Sequence, residues 1–180
     1  MTVNLSHGIR LLNGDLFSYD DPDAGEVTIY DIANALGNIC RFAGQIPYFY
    51  SVAQHSINVS RIVPPEHALA GLLHDTSEAF TNDIPTPLKH AVPMFKELEV
   101  KIEASMARRF GFQYPLNDCI KLADLQMLQL EKIHIKGDFS HWSTLDGIES
   151  SHLIDAVDLD EMMPSEARDL FLLRYQELTA

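Results

Sequence analysis

Long apolar runs are missing from this chain. No stretch approaches the roughly 18 consecutive apolar residues that a membrane span requires. The opening segment MTVNLSHGIRLLNGD lacks the basic-then-apolar pattern of a secretory leader. Cysteine is scarce: Cys40 and Cys119 are too few for a disulfide framework or a structural zinc site. Both are expected to be buried, reduced thiols of a cytoplasmic protein. Positive charge is short as well, with 13 Lys and Arg against 26 Asp and Glu and a net charge of −13. Such a surface repels a polyanion, so no groove for duplex or single-stranded nucleic acid is expected. A phosphate-bearing ligand would need local counter-charge, from a bound metal and a few converging Lys or Arg. Repeats, low-complexity tracts and interdomain linkers are absent too, and no glycine-rich loop ends in Gly-Lys-Ser/Thr.

What is present suits one helical domain over residues 1–180, since 46% of the residues are apolar. The first thirty residues read as irregular structure or a short hairpin. Asn13-Gly14 and Asp20-Asp21-Pro22 supply turns, and Val27 to Ile29 a brief strand. Asp31 opens a helix with Ile32, Ala35, Leu36 and Ile39 on one stripe, running to about Gly44. A second helix is expected from Ser51 to Val63 and a third from Glu66 to Phe80. Pro85 and Pro87 are expected to bar a helix beyond it. A fourth runs from Pro93 to Phe110 and stops at Gly111, and a fifth runs from an Asn117 or Asp118 cap towards His134. After a loop from Gly137 to Gly147, shorter helices at Ser151 to Val157 and Pro164 to Leu178 close the chain. The fold class expected is all-α, a helical bundle with a short irregular or hairpin N-terminal segment.

Chemistry enters where polar groups interrupt these apolar helices. Leu72-Leu73-His74-Asp75 places an imidazole and a carboxylate at the middle of an apolar helix. Burying a charged Asp there costs several kcal/mol unless something pairs with it, and a divalent cation would serve. Alone, the dipeptide reads rather as a hydrogen-bonded pair at a helix edge. Its context argues otherwise. His55 lies on a helix of small and apolar residues, and Asp124 interrupts Lys121-Leu122-Ala123-Asp124-Leu125. Together His55, His74, Asp75 and Asp124 make a two-nitrogen, two-oxygen set for one borderline divalent ion such as Mn, Co, Fe, Ni or Zn. Adjacent helical residues point about 100° apart, so His74 and Asp75 share an ion only at the helix edge. Glu78, one turn after His74, is placed to move a proton of bound water. Asp83, before Ile84-Pro85, is placed to orient that water or protonate a leaving oxygen, unless it is simply a cap.

The strings Arg41-Phe42, Val-Ala-Gln-His-Ser at residues 52–56 and Leu-Leu-His-Asp-Thr-Ser-Glu-Ala-Phe-Thr-Asn-Asp-Ile-Pro-Thr-Pro-Leu-Lys at residues 72–89 resemble the HD-domain phosphohydrolase superfamily. Within it, they are similar to bacterial 5′-deoxynucleotidases and phage dATP triphosphohydrolases (DatZ). The resemblance implies metal ligation by His55, His74, Asp75 and Asp124 and a hydrolytic role for Glu78 and Asp83. It also implies phosphate contacts from Arg41, Lys89 and Lys121, with Phe42 against the nucleoside. Gly44 and Gln45 depart from the pattern on the base side and leave base preference open. The remaining histidines, His67, His90, His134, His141 and His152, lack matched carboxylates, and one catalytic ion is favoured over two. No Gly-Tyr-Pro signature of cyclic dinucleotide phosphodiesterases occurs.

Because three candidate cations exceed the needs of one phosphate, the sequence reading leans towards a dNTP substrate of the dATP type, with a further divalent ion accompanying the triphosphate. A 5′-deoxynucleotidase acting on dNMPs is the alternative, and a noncatalytic nucleotide- or metal-binding HD module the lesser one. The partners implied are a small nucleotide and further copies of the chain as a homo-oligomer. No membrane partner is expected, and a phage-encoded protein would work in its host's cytoplasm.

Overall fold

The computed structural model describes residues 7–180, so the reading of the first six residues as lacking a leader pattern lies outside the described residues. The architecture is the expected all-α bundle with a small hairpin at its start. Strands β1 (Gly8–Arg10) and β2 (Leu16–Ser18) pair antiparallel with Ile9 opposite Phe17. The Asn13 side chain accepts from the Asp15 amide at 2.7 Å, and Gly14 takes a φ of 96°, which makes this pair the tight turn its composition foretold.

Val27 to Ile29 form no strand. Thr28 instead caps helix α1 (Ile29–Asn38), accepting from the Asp31 amide while the Asp31 carboxylate accepts from the Thr28 amide. This capping box satisfies orphan donors that a strand would leave unpaired. Helix α1 also ends earlier than its apolar stripe suggests. Ile39 is extended, and the Arg41 amide donates to the Tyr50 carbonyl at 2.9 Å. Phe42 and Ala43 then adopt left-handed backbone, with φ of 55° and 51°, in a short 3₁₀ turn over Arg41–Gly44. Two non-glycine residues held there cost about 1–2 kcal/mol each.

Helix α2 (Val52–Ile62), capped by Ser51, is the hub of the bundle. Its Val52, Ala53 and Ile57 join a core with Phe17, Ile32, Leu36, Leu72, Phe80, Ile102, Met106 and Phe171. Its Val59 joins a second core with Ile120, Met127 and Leu130. Every residue from Val52 to Ser60 is buried, which is why His55 is sealed from solvent.

The single helix expected from Glu66 to Phe80 is divided. After a 3₁₀ turn at Pro65–His67, α3 (Ala68–Leu73) is followed by a tightened turn and then α4 (Glu78–Thr81). In that turn the amides of Thr76 and Glu78 bond three residues back, to Leu73 and Asp75. The prolines beyond do not bar a helix. Helix α5 (Thr86–Ala91) carries Pro87 in its first turn, where an amide proton has no partner to lose. Helices α6 (Pro93–Phe110), α7 (Asp118–His134) and α8 (Pro164–Thr179) follow the expected pattern, with Gly111 left-handed at the end of α6 and Asn117 capping α7. Ser151–Ala156 is a 3₁₀ segment rather than an α-helix.

The hairpin braces the site-bearing turn from behind. The ring of Phe17 stacks on Phe80 with centroids 3.7 Å apart, and the Tyr19 hydroxyl donates to the Phe80 carbonyl at 2.6 Å. Cys40 and Cys119 are free but only half-buried, against the expectation of full burial. Among the described residues no helix is long and apolar enough to cross a membrane.

Gly37 marks a close approach of α1 to α8: a Cβ there would stand 2.8 Å from the Pro164 carbonyl oxygen. Alanine gains about 1 kcal/mol of helix propensity, but overpacking against backbone costs about 1–3 kcal/mol. The Gly37→Ala variant is therefore expected to be less stable by about 1 kcal/mol, as a lower urea midpoint with unchanged slope.

Candidate metal centre

Three parts of the fold converge on one point. Helix α2 delivers His55, the turn between α3 and α4 delivers His74 and Asp75, and α7 delivers Asp124. His55 Nε2 lies 3.1 Å from Asp124 Oδ1 and 3.7 Å from Asp75 Oδ2. His74 Nε2 lies 3.2 Å from Asp75 Oδ2 and 3.9 Å from Asp124 Oδ1. One atom each from His55, His74 and Asp124 falls within 4.8 Å of the others. Ligand atoms about 2.1 Å from a shared ion stand about 3.0–3.4 Å apart, so this spread is close to what a cation would draw together. The concern that adjacent residues diverge is met by their side chains, which fold back to bring imidazole and carboxylate into contact at the helix edge.

The imidazoles supply the test of fit. His55 Nδ1 meets Glu131 Oε1 at 2.6 Å, and His74 Nδ1 donates to the Gly71 carbonyl at 2.8 Å. An acceptor at Nδ1 places the proton there and leaves Nε2 as a lone pair. Both Nε2 atoms are buried and, among the described residues, have no hydrogen-bond partner. Two orphaned nitrogens facing two carboxylates are a donor set for a divalent transition ion.

The surrounding charge is arranged to favour a cation. Burial and Arg41 work against protonation of His55, but Glu131 and Asp124 outweigh them and raise its pKa to about 9. The same acidic surroundings that favour positive charge on the ring would attract a cation beside it. Burial resists ionisation of Asp75, yet the His74 imidazole, helped by His55 and Arg41, holds its carboxyl below the ordinary range. Glu78 goes the other way. Burial first, then Asp75 and Asp83, push its carboxyl well above the usual value, only partly opposed by Arg41 and Lys89. Its Oε2 is buried and has no hydrogen-bond partner among the described residues.

The remaining expected residues divide. Arg41 is buried beside the cluster, with Nε and Nη2 at 3.0 and 2.9 Å from Glu131 Oε2 and Nη1 at 3.9 Å from Asp83 Oδ2. The half-buried Phe42 ring lies 5.6 Å from the Arg41 guanidinium. Lys89 sits at the edge, 2.8 Å from Glu99 Oε1 and 3.9 Å from Glu78 Oε1. Lys121 is not drawn in; it is exposed and pairs with Asp118 at 3.1 Å. Glu131 escaped the sequence reading. The available signal was its spacing: seven residues after Asp124, it lies two turns along the same face of α7, where Met127 is also buried.

A family model for YfbR-like 5′-deoxynucleotidases matches residues 32–116. The uncharacterized protein YfdR of Escherichia coli is 38% identical over 172 residues, covering 95% of each chain. The chain belongs to the YfbR-like 5′-deoxynucleotidase family. A second relative, an uncharacterized protein of Rhodobacter capsulatus, is 34% identical over 71% of this chain and 72% of its own. A 5′-deoxynucleotidase of Vibrio atlanticus is 50% identical over 52 residues, which is 28% of this chain and 27% of that one. The segment matched by the YfbR-like model holds His55, His74 and Asp75 together with Glu78 and Asp83; Asp124 and Glu131 lie beyond it.

Proposed function

We propose that this chain acts as one HD-type domain and is a metal-dependent 5′-deoxynucleotidase, releasing inorganic phosphate from a deoxynucleoside monophosphate. The observation that carries the reading is the pair of buried, unpartnered Nε2 atoms of His55 and His74 facing Asp75 and Asp124. These four residues would hold one ion of the Co, Mn, Zn, Fe or Ni class. When bound, such an ion supplies Lewis acidity and lowers the pKa of bound water towards about 7. Glu78, with its carboxyl raised by burial and by neighbouring acids, exchanges the proton of the attacking water. Asp83 orients the water or protonates the leaving oxygen. Arg41 binds the phosphate oxygens and offsets charge that grows as the bond breaks. Phe42 covers the nucleoside.

Charge also supports the shorter substrate. Of the three cations that made a triphosphate attractive, Lys121 is engaged with Asp118 and Lys89 with Glu99. Arg41 is the one embedded among the site's carboxylates, and one guanidinium suits one phosphate. The 5′-deoxynucleotidases among the relatives point the same way. A dATP-type triphosphohydrolase would require both Lys89 and Lys121 to leave these partners.

Phosphate release measured across dNMP, dNDP and dNTP panels with Co, Mn and Zn tests the reading. Turnover of dNMPs, lost on chelation, is expected. Release from dNTPs alone would overturn the monophosphatase in favour of the triphosphohydrolase, and a metal-bound protein inert on every nucleotide would favour a binding module.

A further inference from the structure

We propose that Glu131 is a positioning residue serving both halves of the site, its two oxygens setting the ligating tautomer of His55 and the orientation of Arg41. The inference rests on the metal-dependent reading above and adds a residue to it. Glu131 is fully buried, and an apolar side chain of its size would fill the same space without the desolvation cost of a carboxylate. What an apolar group could not do is accept on two sides. Oε1 meets His55 Nδ1 at 2.6 Å, while Oε2 meets Arg41 Nε and Nη2 at 3.0 and 2.9 Å.

Both neighbours are donors, and each takes a different oxygen. Holding the proton on Nδ1 keeps the Nε2 lone pair aimed at Asp75 and Asp124. Holding Nε and Nη2 of Arg41 leaves Nη1 directed towards Asp83, at 3.9 Å. Glu131 and Asp124 also share one face of α7, so a single rigid helix carries a ligand and the support of a second ligand.

Replacing the carboxylate with a carboxamide of the same shape exposes this double duty. In Glu131→Gln one position becomes an N–H donor. If it faces His55, the ring must accept at Nδ1 and carry its proton on Nε2, where a cation is to bind. If it faces Arg41, donor meets donor and the guanidinium is displaced. Glu131→Asp keeps two acceptors on a shorter stem.

The test titrates Co(II) into metal-free wild type, E131Q and E131D without nucleotide, follows the cobalt visible spectrum, and measures KM and kcat for a dNMP separately. E131Q is expected to melt cooperatively, to bind cobalt about 10–100-fold more weakly, and to show a raised KM, with E131D recovering part of both. A folded E131Q with wild-type cobalt affinity, spectrum and KM would overturn the role. If E131Q does not fold, E131D decides: cobalt binding weakened about tenfold supports the role, and unchanged binding sinks it. Wild type that takes up no cobalt would sink the metal reading along with this one, whereas wild-type binding with an indifferent E131Q removes Glu131 alone.

Discussion

Alanine at His74 is expected to leave a folded protein that retains no divalent ion and releases phosphate more than about 10³-fold more slowly. The size follows from losing two effects together, activation of water and neutralisation of phosphate charge, each worth about 10²-fold or more. His74 is chosen because its Nε2 faces both Asp75 and Asp124, at 3.2 and 3.9 Å, and has no hydrogen-bond partner among the described residues. Asp75→Ala should behave alike. Metal content by elemental analysis and thermal melts with and without cobalt check the result. Ligand at about 100 times its dissociation constant stabilises by about 2.7 kcal/mol, so the wild-type midpoint should climb on adding cobalt while the variant's stays still. Undiminished turnover in either variant would count against the assignment.

The second large effect is expected at Glu78. Glu78→Gln preserves volume and burial but cannot exchange a proton, and kcat should fall by about 10²–10⁴-fold while bound metal stays at the wild-type level. The separation matters, because Glu78 neighbours the cluster without joining it; its contact is with Lys89 at 3.9 Å. A fully active Glu78→Gln enzyme would remove the residue from the hydrolytic step, and loss of metal alongside activity would recast it as a structural support of the ligands.

Much of this arrangement was readable before folding, and the failures have physical causes. Helices α6 and α7 were legible because apolar residues repeat at helical spacing between a turn-forming start and a clear stop. His55, His74, Asp75 and Asp124 were legible because each is a polar interruption of an apolar stripe. The sequence conceals helix α5 because Pro87 resembles a barrier, although a proline in the first turn forfeits no hydrogen bond. The early end of α1 was missed because the strand-like bond from Arg41 to Tyr50 is made with residues not yet reached along the chain. Glu131 is harder to read, although its spacing from Asp124 along α7 is a signal. Its meaning lies in His55 and Arg41, on other elements, and α7 alone shows only an acid among leucines.

The brace behind α4 has a bearing on how the molecule loses its function. Tyr19 and Phe80 are 61 positions apart, so the grip of the hairpin on the turn carrying Glu78 closes a long loop that local helix formation does nothing to prepay. Phe17 and Phe80 nevertheless lie in the same buried core as Val52 and Ile57 of α2, so the brace lets go only when that core opens. Warming or denaturant should therefore release the turn carrying Glu78 and the helix carrying His55 in one transition, with activity and helical signal falling together.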